Sequence, residues 1–157
     1  MSLAPRLPRG TLDAGLRLLT AAALVVDAVI HLQLARVYNL AAPGGIGEGT
    51  LFRIESVAAL LAAALVLAYG SRTAYALAFV IAAGATAAAL LYRYVDVPAL
   101  GPIPAMYEPV WFTKKVLATA AEALGTLTAA AGVALARTRS RVRPGTPSRP
   151  ATPTVVP

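Results

Sequence analysis

Four stretches of the chain are long and apolar enough to cross a bilayer, at about residues 16–37, 51–69, 73–92 and 111–136. Each approaches or exceeds the ~20 apolar residues that a ~30 Å hydrocarbon core requires of a helix. The first, LRLLTAAALVVDAVIHLQLARV, is the least uniform, because Asp27 and His31 interrupt it. At 100° per residue, Thr20, Asp27, His31 and Tyr38 fall within roughly 40° of one another on one helix face. Leu24, Val25, Val29 and Leu32 cover much of the remainder. Such a polar line is costly in lipid, so it must face other helices, a cavity or a bound partner. The fourth stretch repeats the pattern, with Lys115, Thr119, Glu122 and Thr126 on one face. The second carries Arg53 and Glu55 in its first turns and is otherwise apolar. The third has no charge, and Ala78, Ala82, Gly84, Ala85, Ala88 and Ala89 give it the small-xxx-small spacing that lets helix backbones approach closely.

The connections are equally legible. Pro43, Gly44, Gly45, Gly47 and Gly49 make residues 38–50 a loop, with Thr50 expected to cap the second helix. The turn Gly70-Ser71-Arg72 is short enough to force the second and third helices into an antiparallel hairpin. Residues 93–110 hold Pro98, Pro102, Pro104 and Pro109, and their length and apolar content predict a structured lid over the bundle. Residues 1–11 form a short lead. Residues 137–157 form a basic Pro/Thr-rich tail that buries nothing and is expected to be disordered. The fold class is therefore all-α, a four-helix transmembrane bundle over residues 12–136.

Lysine and arginine set the orientation. Arg6, Arg9, Arg17, Arg72 and the arginines after residue 136 lie on one side, and Arg36, Arg53, Arg93, Lys114 and Lys115 on the other. The larger group marks the cytoplasmic side, which puts both termini in the cytoplasm of a multi-pass protein of the cell membrane. The aromatic residues fit this frame, with Tyr38, Tyr92, Tyr94, Tyr107 and Trp111 expected at the outer interface and Tyr69 and Tyr75 at the inner one.

Composition narrows the chemistry. Apolar residues make up 58% of the chain and charged residues 13%, far from a soluble domain. The net charge of +7 sits largely in the terminal segments, so the bilayer is the expected partner rather than nucleic acid. Arg137, Arg139, Arg141 and Arg143 are placed to touch anionic lipid. With no cysteine there is no disulfide, thiol chemistry or iron–sulfur site. No phosphate loop, nucleophile–base triad or zinc spacing is present, so no metal ligand or catalytic residue is assigned from spacing and no cofactor is specified. The single histidine excludes bis-histidine haem ligation within one chain.

Counting ~1.5 Å per residue along each helix places Asp27 and Glu122 about 15 Å below the outer ends, and His31, Glu55 and Lys115 about 6–9 Å below. Arg53 and Tyr92 fall at the rim. These positions imply a polar pocket open outward and closed by the apolar inner half. Asp27, His31, Glu55, Lys115 and Glu122 would be its ligand or proton site. The alternative is a scaffold of ion pairs, His31 with Glu55 and Lys115 with Glu122, that fixes helix register. Asp27 then has no cation at its own depth, which favours a site.

The four short spans, the polar first helix and the stretch GPIPAMYEPVWFTKKVLATAAE resemble the small DoxX-like membrane proteins. Those are four-helix proteins, some associated with quinone-linked or redox membrane complexes. The GPIPAMYEP loop and the His31 helix also fit a separate actinobacterial-type four-span family. The resemblance covers the bundle and transfers no catalytic residue. What it implies is an accessory membrane subunit, without catalytic activity of its own, that binds a quinone or lipid or packs on a membrane protein partner. A small proton-coupled carrier using Asp27, His31 and Glu122 is the alternative. A lipid-acting enzyme lacks an evident nucleophile or metal.

Overall fold

A computed structural model describes residues 9–38 and 46–141. Residues 1–8 of the lead, 39–45 of the first loop and 142–157 of the tail lie outside the described residues. The rest forms four helices: α1 (Arg9–Val37), α2 (Glu48–Tyr69), α3 (Arg72–Tyr94) and α4 (Thr113–Arg141). All four are long and apolar enough to span a membrane. They pack as an up-and-down bundle in which α1 touches α2 and α4 along its length, α3 touches α2 and α4, and α1 and α3 lie diagonally opposite.

The helix ends follow local chemistry. Gly70 takes a left-handed conformation (φ 51°) and its N–H donates to the Val66 carbonyl, closing α2. Ser71 then caps α3 by accepting from the Ala74 N–H at 3.2 Å, so the hairpin turn needs only two residues. The expected Thr50 cap does not form. Gly47 is the N-cap and Thr50 lies within α2, which starts a turn earlier than its apolar run. The same holds for α1, where Asp13 and Arg17 form an i,i+4 ion pair at 2.9 Å that carries the helix back beyond the apolar stretch. Arg137, placed at the start of the tail, lies within α4.

Two apolar clusters fill the bundle. The larger, toward the Gly70 turn, is built of Ala21, Leu24, Ala28, Ala59, Ala62, Val66, Ala78, Ala82 and Ala129 around Tyr75. Small residues bring the backbones together here. Ser56 shares its hydroxyl hydrogen between the Phe52 carbonyl at 2.7 Å and the Ala28 carbonyl of α1 at 3.1 Å. Tyr75 is a correction to the aromatic frame. It is 0% exposed and stacks over Gly132 of α4 instead of lying at a lipid interface. The smaller cluster, at the opposite end, joins Ile30, Leu34 and Ala118 with Tyr38, Phe52 and Phe112.

Residues 95–112 cross the second end without regular structure, apart from a tight turn bridging Leu100 and Ile103 at Gly101 (φ 58°). Backbone hydrogen bonds tie this segment down, from Glu108 N–H to Tyr92 O at 3.0 Å and from Ile46 N–H to Pro102 O at 2.8 Å.

The glycines give a contrasting stability test. A Cβ at Gly132 would run into the Tyr75 ring, whereas one at Gly84 meets nothing within 4 Å. Gly132→Ala should cost about 1–3 kcal/mol through overpacking. Gly84→Ala should be neutral or add up to about 1 kcal/mol through helix propensity. Thermal melts in detergent compare the two, and equal melting temperatures would contradict the Tyr75–Gly132 contact.

Candidate functional site

Between the two apolar clusters lies a knot of titratable side chains. Asp27 and His31 are one turn apart on α1, so the same helix face presents both. His31 Nδ1 lies 2.8 Å from Asp27 Oδ1 and 3.3 Å from Glu55 Oε2 of α2, while Nε2 lies 3.8 Å from Glu122 Oε1 of α4. The imidazole is also 3.2 Å from the Asp27 carbonyl and meets the Phe52 ring edge-on at 5.2 Å. Asp27 and Glu122 are 1% and 2% exposed. Three carboxyl groups from three helices thus converge on one base. Even with His31 protonated, three ionised carboxylates would leave this interior negative, so charge balance here requires further protons or a bound cation.

The sequence placed these groups at different depths, and the structure brings them level. Helix side chains lean toward their own N-terminus. His31 on α1 therefore leans back toward Asp27, while Glu122, on α4 running the other way, leans to meet it, and Glu55 of α2 starts from His31's own depth. Asp27 does have a basic partner, contrary to expectation. Lys115 and Glu122 stand seven residues, roughly 10 Å, apart along α4. Lys115 points toward the start of α4 and donates to the Glu108 carbonyl at 2.6 Å, so the expected Lys115–Glu122 pair does not form.

Above the knot is a cavity of about 220 Å³. Its floor holds His31, Glu55 and Glu122, with Asp27 beneath, outside the lining. Its walls are mainly apolar: Leu34 from α1, Leu51 and Phe52 from α2, Ala85, Ala88 and Ala89 from α3, and Phe112 and Ala118 from α4. Met106 and Glu108 of the 95–112 segment cover it, and Tyr38, Glu48, Tyr92 and Lys115 ring its upper part. Tyr92 lines the cavity, whereas Arg53 is exposed on α2 and lies outside the lining.

Sequence reasoning missed Glu48 and Glu108 as cavity residues, because they read as loop charges. Tyr38 donates to Glu108 Oε2 at 3.4 Å, and burial, then the Glu108 carboxylate, push its phenol above the ordinary value. Phe52, Met106 and Phe112 gave no signal beyond being apolar. Asp27, His31 and Glu122 each offer one atom within 4.8 Å of the others, so these three could hold a metal ion. Trp111 and Arg93 lie just outside, with the guanidinium 5.7 Å from the indole centre and 5.1 Å from that of Tyr94.

Comparison with protein-family models, with curated proteins and with solved structures found no match to this chain.

Because one base faces three acids, the substitutions rank unequally. In detergent with EDTA, Glu122→Gln removes an acid but keeps its shape and should change stability by less than about 1 kcal/mol. His31→Leu leaves three carboxyl groups facing one another and should cost on the order of 3 kcal/mol. Thermal melts of the two variants check the order, and the reverse ranking would refute the charge argument.

Proposed function

We propose that the chain is an integral protein of the cell membrane with four spans and both termini in the cytoplasm. It binds the head group of a hydrophobic small molecule, a quinone or lipid, in the cavity above His31. The observation that supports this most is the combination in one cavity of apolar walls and a floor of buried hydrogen-bonding groups. An apolar cavity of about 150 Å³ takes a benzene-sized ring, so the space suits a ring or head group rather than a whole lipid. Carboxylates on the floor favour a head group that donates hydrogen bonds, as a quinol does. The resemblance to DoxX-like proteins points the same way. So does the lack, among the described residues, of a nucleophile–base pair, which favours an accessory subunit working beside a membrane protein partner over a stand-alone enzyme.

The proton-coupled carrier is a weaker reading. The cluster of His31 with three carboxyl groups suits proton handling. Beyond Asp27, however, Leu24, Val66, Tyr75 and Ala78 pack the bundle as a closed apolar core, with no broken helix to open a path.

The orientation rests on the arginine asymmetry, with Arg137, Arg139, Arg141 and Arg143 beside anionic cytoplasmic lipid. Reporter fusions at Pro157 and within residues 41–49 should read inside and outside respectively. An external C-terminus would overturn the topology.

Occupancy is tested by filling the cavity. Organic extraction of the purified full chain should release an apolar molecule in stoichiometric amount. Ala89→Trp places an indole in the cavity and should lower that yield about ten-fold while far-UV circular dichroism stays unchanged, a loss of roughly 1.4 kcal/mol in binding. Equal yields from both proteins would refute the reading.

A further inference from the structure

We propose that Asp27, His31 and Glu122, with Glu55 beside them, form a binding site for one divalent first-row transition-metal ion. The inference rests on the side-chain knot and is independent of what occupies the cavity above it.

The donors fit such an ion. Asp27 and His31 are at i and i+4, the spacing that sets two helical ligands on one face. Glu122 enters from α4 and Glu55 from α2, so the ligands come from three packed helices, as in metal sites built within helix bundles. Atoms ligating one ion at about 2.1 Å lie roughly 3.0–3.4 Å apart. Of the His31 Nδ1 separations, that from Glu55, 3.3 Å, falls within that spacing and that from Asp27, 2.8 Å, lies just below it. The three-residue set of Asp27, His31 and Glu122 spans no more than 4.8 Å. Drawing its widest pair into coordination distance takes about 0.7 Å from each side chain.

A second observation points to a ligand independently of this spacing. Asp27 Oδ2, Glu122 Oε2 and Glu55 Oε1 are buried and accept no hydrogen bond from a nitrogen or hydroxyl group among the described residues; Glu55 and Glu122 instead face the Asp27 carboxyl. Buried carboxylate oxygens left in this way are costly, and a cation both satisfies them and offsets their charge. His31 Nδ1 and Nε2 face carboxyl groups on opposite sides. One ring nitrogen can therefore ligate while the other donates to a carboxylate oxygen, the arrangement that fixes metal-bound imidazoles, and the carboxyl group so engaged keeps its second oxygen, Asp27 Oδ2 or Glu122 Oε2, for the ion.

The donor types decide the class. Imidazole with carboxylates suits manganese, iron or zinc. The imidazole argues against magnesium or calcium, which take oxygen ligands, and the absence of cysteine argues against soft-metal sites. Because His31, Glu55 and Glu122 also line the cavity floor, the ion would be within reach of a molecule bound there.

The test is metal analysis of the full chain purified in mild detergent. Elemental analysis should find one transition ion per chain. After chelation, adding Mn²⁺, Zn²⁺ or, anaerobically, Fe²⁺ should raise the melting temperature by several degrees, and Mg²⁺ should not. His31→Gln and Glu122→Gln should each weaken that binding about ten-fold or more, whereas Glu108→Gln, at the cavity cover, should leave it unchanged. An empty protein that no transition ion stabilises would overturn the site. So would equal stabilisation by Mg²⁺, or undiminished binding in both glutamine variants. Should the variants fail to fold, Co²⁺ added to the chelated wild-type chain decides: visible bands of ligated cobalt support the site, and the spectrum of the free aquo ion overturns it. An empty cluster would leave the cavity reading intact, because Ala89 and Phe52 line the cavity without offering a ligand.

Discussion

Burying one imidazole against three carboxyl groups is the constraint around which this bundle is arranged. The groups come from α1, α2 and α4, and none of them is easily tolerated by lipid. Each helix must therefore hold its rotation so that its polar residue points inward, and the rest of the packing has to accommodate that choice. The knot also divides the interior. On one side lies the closed alanine-rich core, and on the other the cavity with its looser aromatic rim.

The two halves differ although their composition is similar. Both are lined by alanines from α3, Ala78 and Ala82 in the closed half and Ala85, Ala88 and Ala89 in the open one. The closed half has Tyr75 seated over Gly132, a large side chain matched to a missing one, with Leu24 and Val66 filling around it. Above the knot Leu34, Phe52 and Phe112 stand at the walls, and the small α3 residues Ala85, Ala88 and Ala89 bound the cavity between them. The 95–112 segment shelters that space, held by its hydrogen bonds to Tyr92 and Ile46. Lys115, drawn toward Glu108, adds an anchor between this cover and α4.

In the proposed function this arrangement separates two chemical tasks. Apolar walls supply contact area for a hydrophobic molecule with little orientational preference. The floor supplies direction, through acids and an imidazole whose charge does not balance among themselves. A ligand's donor group, entering from the cavity, or a cation held within the knot would each relieve that imbalance.

Much of this was legible in the sequence, because apolar run length and helical period depend on local chain properties alone. The four long apolar helices, the short α2–α3 turn, the inward face of Thr20, Asp27 and His31, and the proline-rich segment between α3 and α4 all follow from them. So does the gathering of Asp27, His31, Glu55 and Glu122 toward one end. Tertiary structure decided the rest. Which acid meets which base depends on the rotation and height of each helix against its neighbours, which brought Glu55 and Glu122 to His31 beside Asp27 and put the Glu108 carbonyl within reach of Lys115. Whether a tyrosine lies at an interface or in the core depends on the residue opposite it on another helix, and Gly132 drew Tyr75 inside. Glu48 and Glu108 became cavity residues only because separate connections meet over the same helix ends. Periodicity describes one helix at a time, whereas a cavity is defined by what several helices leave unfilled between them.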